Sequence, residues 1–307
     1  MAESGLETTA ARMIFHVGEL LSDTYQVRSL LGEGGMGQVF DARDRSLNRD
    51  VAVKTYWPTT YSLTHGLLQR EAQALAAIQH PGLAAVYTLG QHEGIEYLVM
   101  ERIRGSGLDE EMARRHRIGA RLPLRDAIGI LLAIADVLHA VHEAGCLHRD
   151  VKPSNVMLAA RERVVLMDFG LFLPEGELSG RPDLAGSPNY MAPESIQDQV
   201  RPGAGHLVDL YALGVIGFEL LCGHLPYAGR TLEETFDQHL NAPVPDLSAL
   251  AREAPPRLCA LIAQLLAKDP YDRPESEEVV WRLRGLREDH DRGIVRSLTP
   301  AEIRTRG

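Results

Sequence analysis

Cysteine is scarce in this sequence, and the few cysteines lie far apart. Cys146, Cys222 and Cys259 form no Cys-x-x-Cys pair and are odd in number. Such a set favours neither a disulfide framework nor a structural zinc site. Because disulfides persist mainly in oxidising compartments, a reducing cytoplasm is the expected setting.

A long apolar run is also missing. The most apolar stretch, residues 128–141, is interrupted by Asp136 and His139. It is too short to cross a membrane as a helix, which needs about 20 apolar residues. Glu3 and Glu7 stand where a secretion signal would carry positive charge. We therefore expect a buried helix at 128–141, no membrane segment in this chain and no secretion.

Positive charge is in deficit, with a formal net charge of -10 at pH 7. This balance argues against a surface that neutralises nucleic-acid phosphates or anionic lipid, so we expect no nucleic-acid partner. Any phosphate group must then be bound locally. Repeats with a period of 20 to 50 residues, which mark solenoids and propellers, are absent as well.

What is present is the composition of a globular protein, with 45% hydrophobic and 24% charged residues in 307 positions. That length supports one or two packed units. Strand-like alternation around a glycine-rich turn runs over 25–55, and apolar residues at spacings of three and four predict one helix over 63–78. Two more strands are predicted over 84–89 and 95–100.

After residues 102–107 the pattern changes from strands to helices, which places a domain boundary there. The predicted helices lie at 123–144, 207–222, 258–267 and 276–286. Residues 1–12 are small and polar, and we expect a flexible tail. Residues 299–302, Thr-Pro-Ala-Glu, have the form of a helix start.

Glycines cluster in the segment Gly-Glu-Gly-Gly-Met-Gly, residues 32–37. Glycine lets backbone N–H groups approach phosphate oxygens without a Cβ in the way. A dinucleotide-binding fingerprint needs a helix after the glycines, but residues 38–42 continue as a strand. Taken alone, the segment is equally consistent with a plain hairpin turn.

Lys54 ends the apolar strand Val-Ala-Val-Lys. An edge lysine that caps a strand is the simpler interpretation of this residue alone. Glu71 changes the balance because it lies on the single predicted helix of this region, where a glutamate can pair with the lysine. A lysine held in this way is suited to neutralise two phosphates of a nucleotide.

The densest polar segment is residues 146–155, Cys-Leu-His-Arg-Asp-Val-Lys-Pro-Ser-Asn. It separates a predicted helix from an apolar strand at 156–158. A second apolar run, residues 164–167, ends directly at Asp168, the first residue of Asp-Phe-Gly. A solvated charged loop does not explain this repetition. We expect Asp150 and Asp168 to converge on one site.

In order and spacing, these segments resemble the signature motifs of the protein kinases, which end with Ala-Pro-Glu at 192–194. The resemblance covers residues 25–286, and the glycine loop is similar to those of bacterial eukaryotic-like (Hanks-type) serine/threonine kinases. The implied fold is α+β and bilobal. A small antiparallel β-sheet lobe with one helix (13–103) precedes a larger, mainly α-helical lobe (104–286), and a polar tail with a short helix follows (287–307).

The resemblance implies a catalytic role for Lys54, Glu71, Asp150 and Lys152. Asp150 would accept or orient the proton of the acceptor hydroxyl, and Lys152 would steady the transferring γ-phosphoryl group. Lys54 would contact the α- and β-phosphates and be held by Glu71. The implied activity is transfer of the γ-phosphoryl group of MgATP to serine or threonine hydroxyls of proteins, including the chain's own.

ATP and Mg²⁺ are the implied cofactors, with Mn²⁺ as a substitute for Mg²⁺. Asn155 and Asp168 would hold the metal ions through oxygen atoms, which such hard cations prefer. Met100 would be the gatekeeper, and 101–103 the hinge beside adenine. The implied nucleotide-binding residues, among which Val39, Ala52 and Met157 would sandwich the base, are Gly32, Glu33, Gly34, Gly35, Met36, Gly37, Val39, Ala52, Lys54, Met100, Glu101, Ile103 and Met157.

Further matches to the kinase pattern are structural. Glu194 would form a buried ion pair with Arg273, and Asp209 would brace the backbone of the catalytic loop. Ser187 would contact Asp150 and Lys152 and help to form the shelf for the acceptor.

The same loop bears on the partners. Lys152 and the segment 186–188, Gly-Ser-Pro, are similar to the serine/threonine branch, whereas tyrosine-specific relatives carry arginine in that loop. Protein substrates with serine or threonine acceptors are therefore the implied partners. Similar bacterial kinases dimerise through the N-terminal lobe, which makes a homodimer one expectation.

The activation segment, residues 168–194, departs from the family pattern because it contains no threonine. Arg149 belongs to the catalytic-loop arginines that usually await a phosphorylated residue in this segment. We hypothesise that a carboxylate or a phosphorylated serine of the segment neutralises Arg149. The candidates are Ser179, Glu175, Glu177 and Asp183.

Two other classes of protein share part of this pattern. A pseudokinase would have the same fold but usually lacks the lysine, the catalytic acid or a metal ligand, and this chain has all three. The interpretation as a dinucleotide-binding oxidoreductase would depend on the glycine loop alone, and the helix that such a protein requires after its glycines is not predicted here.

Overall fold

The computed structural model describes residues 13–35, 37–57, 66–168, 173–174 and 187–293. The chain divides into two compact units. The first runs to Gln79 and resumes over Ala84–Arg104, and the second combines His80–Leu83 with the chain from Gly105 onwards. The tail predicted at 1–12 and the helix start predicted at 299–302 lie outside the described residues.

The first unit is built on a six-stranded antiparallel sheet. Its strands are β1 (Leu20–Leu21), β2 (Tyr25–Glu33), β3 (Gly37–Asp44), β4 (Arg49–Tyr56), β5 (Val86–His92) and β6 (Ile95–Glu101). They lie in the order β1-β2-β3-β4-β6-β5. The described helix of this unit, α1 (Leu67–Ala77), precedes β5 in the sequence. The predicted combination of strands with one helix is confirmed over these residues.

The two faces of this sheet carry different residues, because successive side chains of a strand point to opposite sides. Val53 of β4 lies in a buried cluster with Phe15 and Phe40, whose ring centroids are 5.7 Å apart. Ala52 and Lys54 lie on the other face. The apolar cluster thus supports the sheet from behind the predicted nucleotide residues.

The second unit is mainly helical. Its helices are α2 (Leu108–Arg117), α3 (Leu124–Glu143), α4 (Pro193–Ile196), α5 (His206–Cys222), α6 (Leu232–Asn241), α7 (Leu247–Leu250), α8 (Pro256–Leu265) and α9 (Ser276–Asp291), with 3-10 turns at Pro153–Asn155, Pro188–Tyr190 and Pro270–Asp272. Its strands are β7 (Gly105–Gly107), β8 (Cys146–Leu147), β9 (Val156–Ala159), β10 (Val164–Leu166) and β11 (Leu173–Pro174). Strands β10, β9 and β7 form one antiparallel sheet, and β11 pairs with β8.

Helices α3 and α5 form the centre of this unit. In α3, Ile128, Leu131, Ile134 and Leu138 are fully buried at helical spacing, so the buried helix predicted there is confirmed. Helix α5 is buried almost all round and contacts α3, while α8 packs on α5 and α9 packs on α3. In the part of the chain that the structure describes, none of the helices combines the length and apolar character that a membrane crossing requires.

Charged residues and one proline explain where the observed helices differ from the predicted helices. Helix α2 was not predicted because it is mostly charged, but acids in its first turn and bases in its last turn stabilise both ends. Helix α9 continues past the predicted end at residue 286, because Arg287 pairs with Asp291 one turn further on. Helix α8 begins at Pro256, two residues before the predicted start, since proline is favoured at the first helical position.

Hydrogen bonds explain why His80–Leu83 belongs to the second unit. The His80 ring lies 3.1 Å from the Asp136 carboxylate on α3. The Arg163 guanidinium donates to the carbonyls of Pro81 at 2.8 Å and Leu83 at 3.2 Å. These contacts tie the segment after α1 to the helical unit.

Candidate active site

The glycine-rich segment forms the turn between β2 and β3. The Gly34 N–H donates to the Gly37 carbonyl at 2.9 Å, and the Trp57 indole N–H donates to the Gly34 carbonyl at 3.1 Å. A strand follows the glycines, as predicted, which is the wrong context for a dinucleotide-binding fingerprint. Of the predicted residues here, Gly32 and Glu33 end β2, Gly34 and Gly35 lie in the turn, Gly37 begins β3, and Met36 lies outside the described residues.

Gly37 lies directly opposite Tyr56 of β4, where a side chain has no room. A Cβ at Gly37 would lie 1.9 Å from the Thr55 carbonyl oxygen and 2.7 Å from the Tyr56 Cα. We expect Gly37→Ala to lower the free energy of unfolding by about 1–3 kcal/mol, as overpacking does. Gly35→Ala is the matched control, since a Cβ there meets nothing within 4 Å. Equal stabilities of the two variants in urea denaturation would contradict this description of the turn.

Lys54 and Glu71 form the predicted ion pair. Lys54 Nζ lies 2.8 Å from Glu71 Oε1 and 3.1 Å from Oε2, and both side chains are buried. The Tyr56 hydroxyl donates to Oε2 at 2.8 Å. A buried ion pair offsets its desolvation only with good geometry and additional hydrogen bonds. Tyr56 supplies one such bond.

The face of the sheet that carries Lys54 also carries residues predicted to surround adenine. Strand register pairs Lys54 with Val39 and pairs Ala52 with Met100, so these four residues share one face. Of the other predicted nucleotide residues, Glu101 ends β6, Ile103 follows it and is buried, and Met157 lies on β9 of the second unit.

The carboxylate of Asp150 is the centre of a polar network in the second unit. Its Oδ2 accepts from Lys152 Nζ at 2.6 Å and from Asn155 Nδ2 at 3.1 Å. Its Oδ1 accepts from the Ser187 hydroxyl at 3.1 Å. The structure thus brings together the predicted catalytic acid, the lysine and one predicted metal ligand, and it confirms the predicted contact of Ser187 with Asp150.

Asp209 of α5 holds the backbone of this loop, as predicted. Its carboxylate accepts from the backbone N–H groups of His148 at 2.9 Å and Arg149 at 2.7 Å. The His142 ring nitrogen donates to it at 2.9 Å. Burial opposes ionisation of Asp209. This effect is outweighed by the hydrogen bond and charge of His142 and by the contacts with His148, so the pKa of Asp209 is lowered.

His148 connects the loop of Asp150 to the strand that leads to Asp168. The side chain is fully buried, and burial lowers its pKa, so the ring is neutral. The Asp150 N–H donates to Nδ1 at 3.3 Å, which assigns the ring proton to Nε2. Nε2 then donates to the Met167 carbonyl at 3.0 Å.

The two predicted metal ligands lie on adjacent strand ends. The Met167 N–H donates to the Asn155 carbonyl at 2.7 Å, which places Asn155 beside the residue that precedes Asp168. The Asn155 amide nitrogen donates to Asp150, so the amide oxygen is the Asn155 atom suited to a cation. The other residues of the Asp-Phe-Gly motif lie outside the described residues.

Each of these two loops contains a non-glycine residue with positive φ, as do seven other described positions of the chain. Arg149 has φ of 67° and Asp168 has φ of 66°. This left-handed region is uncommon for residues other than glycine, and such conformations concentrate at functional sites. Over the described ranges, no group of three or more His, Cys, Asp or Glu side chains could hold a metal ion. With Asn155 and Asp168 as its protein ligands, a Mg²⁺ ion would take its other ligands from a bound phosphate group and water, as this ion usually does.

The end of the activation segment is anchored by buried polar contacts. Arg273 donates to both carboxylate oxygens of Glu194 at 2.6 and 2.8 Å, so the predicted ion pair is confirmed. The Tyr190 hydroxyl donates to Glu219 at 2.7 Å. Burial raises the pKa of Tyr190, assisted by the charge of Glu219, and burial also raises the pKa of Glu219. The predicted partners of Arg149, Ser179, Glu175, Glu177 and Asp183, lie outside the described residues.

His239 of α6 lies near this segment and was not predicted to have a role. Its ring is fully buried, and Nδ1 lies 2.8 Å from the Tyr211 hydroxyl. The Tyr227 ring packs edge-on against it, with the centroids 5.0 Å apart. Burial lowers the pKa of His239 to about 4, with a further contribution from the charge of Lys268.

The pKa of His239 predicts acid sensitivity of the fold. An unfolded histidine takes up its proton near pH 6.5, whereas folded His239 stays neutral until about pH 4. The unfolded state binds more protons between these values, so stability falls as the pH falls. Between pH 7.5 and 5 we expect the wild-type free energy of unfolding to fall by about 2 kcal/mol more than that of His239→Asn. Identical pH dependence of both proteins in urea denaturation would refute the assignment.

Sequence reasoning missed the residues that support the predicted ones from a distance. Tyr56 had a usable signal, because a residue two positions after Lys54 on a strand lies on the same face. His142 and Glu219 had none, because their partners Asp209 and Tyr190 are far away in the sequence.

Comparison with known proteins identifies relatives of this chain. A family model described as "Protein kinase domain" matches residues 25–282. PrkC from Bacillus subtilis is 32% identical over 270 residues, which are 85% of this chain and 40% of that protein. PknA from Mycobacterium tuberculosis is 34% identical over 271 residues, 85% of this chain and 60% of that protein. For pkn3 from Myxococcus xanthus, identity is 34% over 278 residues, 86% of this chain and 50% of that protein.

The chain therefore belongs to the protein kinase domain family. The predicted fold class, a small antiparallel sheet lobe with one helix and a larger helical lobe, is confirmed. All three relatives are named serine/threonine-protein kinases. The chain spans 40% to 60% of the length of these relatives.

Proposed function

We propose that this chain transfers the γ-phosphoryl group of MgATP to serine and threonine hydroxyls of proteins. The observation that carries the proposal is the Asp150 carboxylate, which is flanked by Lys152, Asn155 and Ser187. The serine/threonine-kinase names of the relatives support the choice of acceptor. Protein substrates that present such hydroxyls are the proposed partners.

Asp150 and Lys152 would act on the two sides of the transfer. A fixed carboxylate can accept a hydrogen bond from the acceptor hydroxyl and orient its oxygen towards phosphorus. The Lys152 ammonium is positioned to stabilise negative charge that develops on the transferred group. Asp209 and the His148 ring hold the backbone of this loop, so the backbone that carries both groups is in place before the substrate arrives.

The first unit would position the nucleotide. Lys54 would neutralise the α- and β-phosphates, and its pairing with Glu71 would fix the ammonium on one face of the sheet. Backbone N–H groups of the glycine-rich turn would approach the phosphates. The proposed adenine contacts are Val39, Ala52, Met100, Glu101, Ile103 and Met157.

Asn155 and Asp168 fit Mg²⁺ as oxygen donors. This ion usually keeps several waters and binds through one or two carboxylates together with substrate phosphates. A site with two protein ligands is consistent with this coordination. The same oxygen atoms would also bind Mn²⁺. When bound, the ion would neutralise charge on the phosphates.

We propose autophosphorylation, with Ser179 as the candidate site, and a charge from the activation segment that neutralises Arg149. A cytoplasmic location and a homodimer through the first unit complete the proposal. Intact-mass measurement after incubation with MgATP would detect the added phosphate, and Ser179→Ala would test the site.

Calorimetric titration with ATP tests the nucleotide and metal assignments without relying on turnover. We expect the wild-type protein to bind ATP more tightly with Mg²⁺ than with EDTA, and Asp168→Asn to remove most of that difference. Lys54→Met should weaken binding under both conditions, because the phosphates lose a neutralising charge. ATP affinity that does not depend on Mg²⁺ in the wild-type protein would contradict the proposed metal site.

A further inference from the structure

The end of β4 contacts both of the elements that surround the predicted nucleotide lysine. Beyond Lys54, the strand continues with Tyr56, whose hydroxyl donates to Glu71 Oε2 at 2.8 Å. The next residue, Trp57, donates its indole N–H to the Gly34 carbonyl of the glycine-rich turn at 3.1 Å. One short segment is therefore bonded to α1 and to the turn.

Burial makes the hydroxyl of Tyr56 important to the ion pair. Lys54, Tyr56 and Glu71 are 6%, 8% and 3% exposed, so water competes little for the Glu71 carboxylate. Oε2 accepts a longer bond from Lys54, 3.1 Å, than Oε1 does, 2.8 Å, and it is the oxygen to which Tyr56 donates. A buried carboxylate that loses a donor leaves part of its desolvation uncompensated.

Geometry makes Tyr56 a stiff connection. Lys54 and Tyr56 lie two residues apart on the same face of β4, and β3 flanks them through the pairs Val39 with Lys54 and Gly37 with Tyr56. The donor is thus fixed to the strand that carries the lysine, while the acceptor lies on α1. The hydroxyl holds the helix to the lysine strand from a second point.

We propose that Tyr56 is a positioning residue that keeps Glu71 aligned with Lys54 by a hydrogen bond made wholly within the first unit. This inference rests on the nucleotide role proposed above for Lys54. It also adds to that role. The activation segment contains no threonine that could be phosphorylated, and the Tyr56 bond needs no residue of that segment. Alignment of the lysine would then be built into the sheet.

Tyr56→Phe tests the proposal, because it removes the hydroxyl and keeps the ring. We expect kcat/KM for ATP to fall about tenfold, the order expected for a lost hydrogen bond to a charged group. The loss should include a higher KM for ATP, with the KM for a protein substrate within twofold of wild type. Simple loss of folded protein would instead lower kcat and leave both KM values unchanged.

Tyr97→Phe is the matched control. Tyr97 is also buried, lies on the opposite face of the same sheet and donates its hydroxyl to Ser22 Oγ at 2.7 Å. This variant should keep kcat/KM for ATP within twofold of wild type. If Tyr56→Phe matches Tyr97→Phe in KM for ATP, the proposal fails.

A double-mutant cycle locates the effect at Glu71. In a Glu71→Ala background, Tyr56→Phe should cost less than twofold, because the acceptor is already gone. A full tenfold cost in that background would overturn the proposal. The variant Lys54→Met separates the two hypotheses. If Lys54→Met retains normal activity, the proposed nucleotide role of Lys54 is wrong. If Lys54→Met is inactive but Tyr56→Phe has wild-type kinetics, only the positioning role of Tyr56 is refuted.

Discussion

Asp150→Asn is expected to slow phosphoryl transfer by roughly 10²- to 10⁴-fold, the range that general acid–base groups contribute. The change preserves shape, because an asparagine amide can present its oxygen to Lys152 and Asn155. The amide nitrogen would then face Ser187, whose hydroxyl can turn from donor to acceptor. What is lost is the charge that orients the acceptor hydroxyl.

Asp198→Asn is the control for the same chemical change. Asp198 is exposed in the second unit and has φ of 53°, a conformation that asparagine tolerates. Initial rates of radiolabel transfer to a protein substrate would be compared for the two variants, with thermal unfolding as a check of the fold. A folded Asp150→Asn protein with more than a tenth of the wild-type rate would contradict the catalytic assignment.

Arg273→Met is expected to lower the free energy of unfolding by about 3–5 kcal/mol, because it leaves the Glu194 carboxylate buried without its partner. The Arg273 side chain is fully buried. Besides the two bonds to Glu194, it donates to the carbonyls of Leu207 at 2.8 Å and Ala267 at 3.0 Å. Activity should fall too, since Glu194 ends the segment that begins at Asp168.

Arg257→Met provides the comparison for this loss. Arg257 donates to Asp289 at 3.1 Å, but its side chain is 65% exposed, so its removal should cost less than about 1 kcal/mol. Urea denaturation of both variants measures the difference. Similar, small losses would show that the Glu194–Arg273 pair does not anchor the segment.

The chemistry of the site was predictable because short-range sequence carries it. Asp150, Lys152 and Asn155 lie within one loop. The apolar runs that follow this loop predicted strands, and these strands placed the polar residues at strand ends. The pairing of Lys54 with Glu71 could be predicted from a strand followed by one helix. These predictions depended on local spacing and on a resemblance to known kinases.

Contacts between distant segments were predictable only where the family resemblance supplied the pairing. Glu194 with Arg273 and Asp209 with the catalytic loop came from that source. The bond of Tyr56 to Glu71 did not, because a two-residue period shows which face a side chain occupies but not what it meets. His239 was missed for the same reason, since its partner Tyr211 lies on another helix.

Helix α2 shows the corresponding limit for the fold. Its sequence has little apolar periodicity, so the usual helix signal is weak. Its stability comes instead from charges at both ends and from Glu111, which pairs with Arg114 and Arg115. These hydrogen bonds, assisted by the two charges, lower the pKa of Glu111 to about 2. The prediction used hydrophobic spacing and missed this helix, whereas the charge pattern of its two ends was the signal that could have found it.

Phosphoamino acid analysis is the most direct test of the central claim. A protein substrate would be incubated with radiolabelled ATP, Mg²⁺ and the wild-type chain or Asp150→Asn, then hydrolysed and separated. The proposed function predicts label on phosphoserine or phosphothreonine with the wild-type chain and little label with the variant. Label on phosphotyrosine alone, or equal label with both proteins, would contradict it.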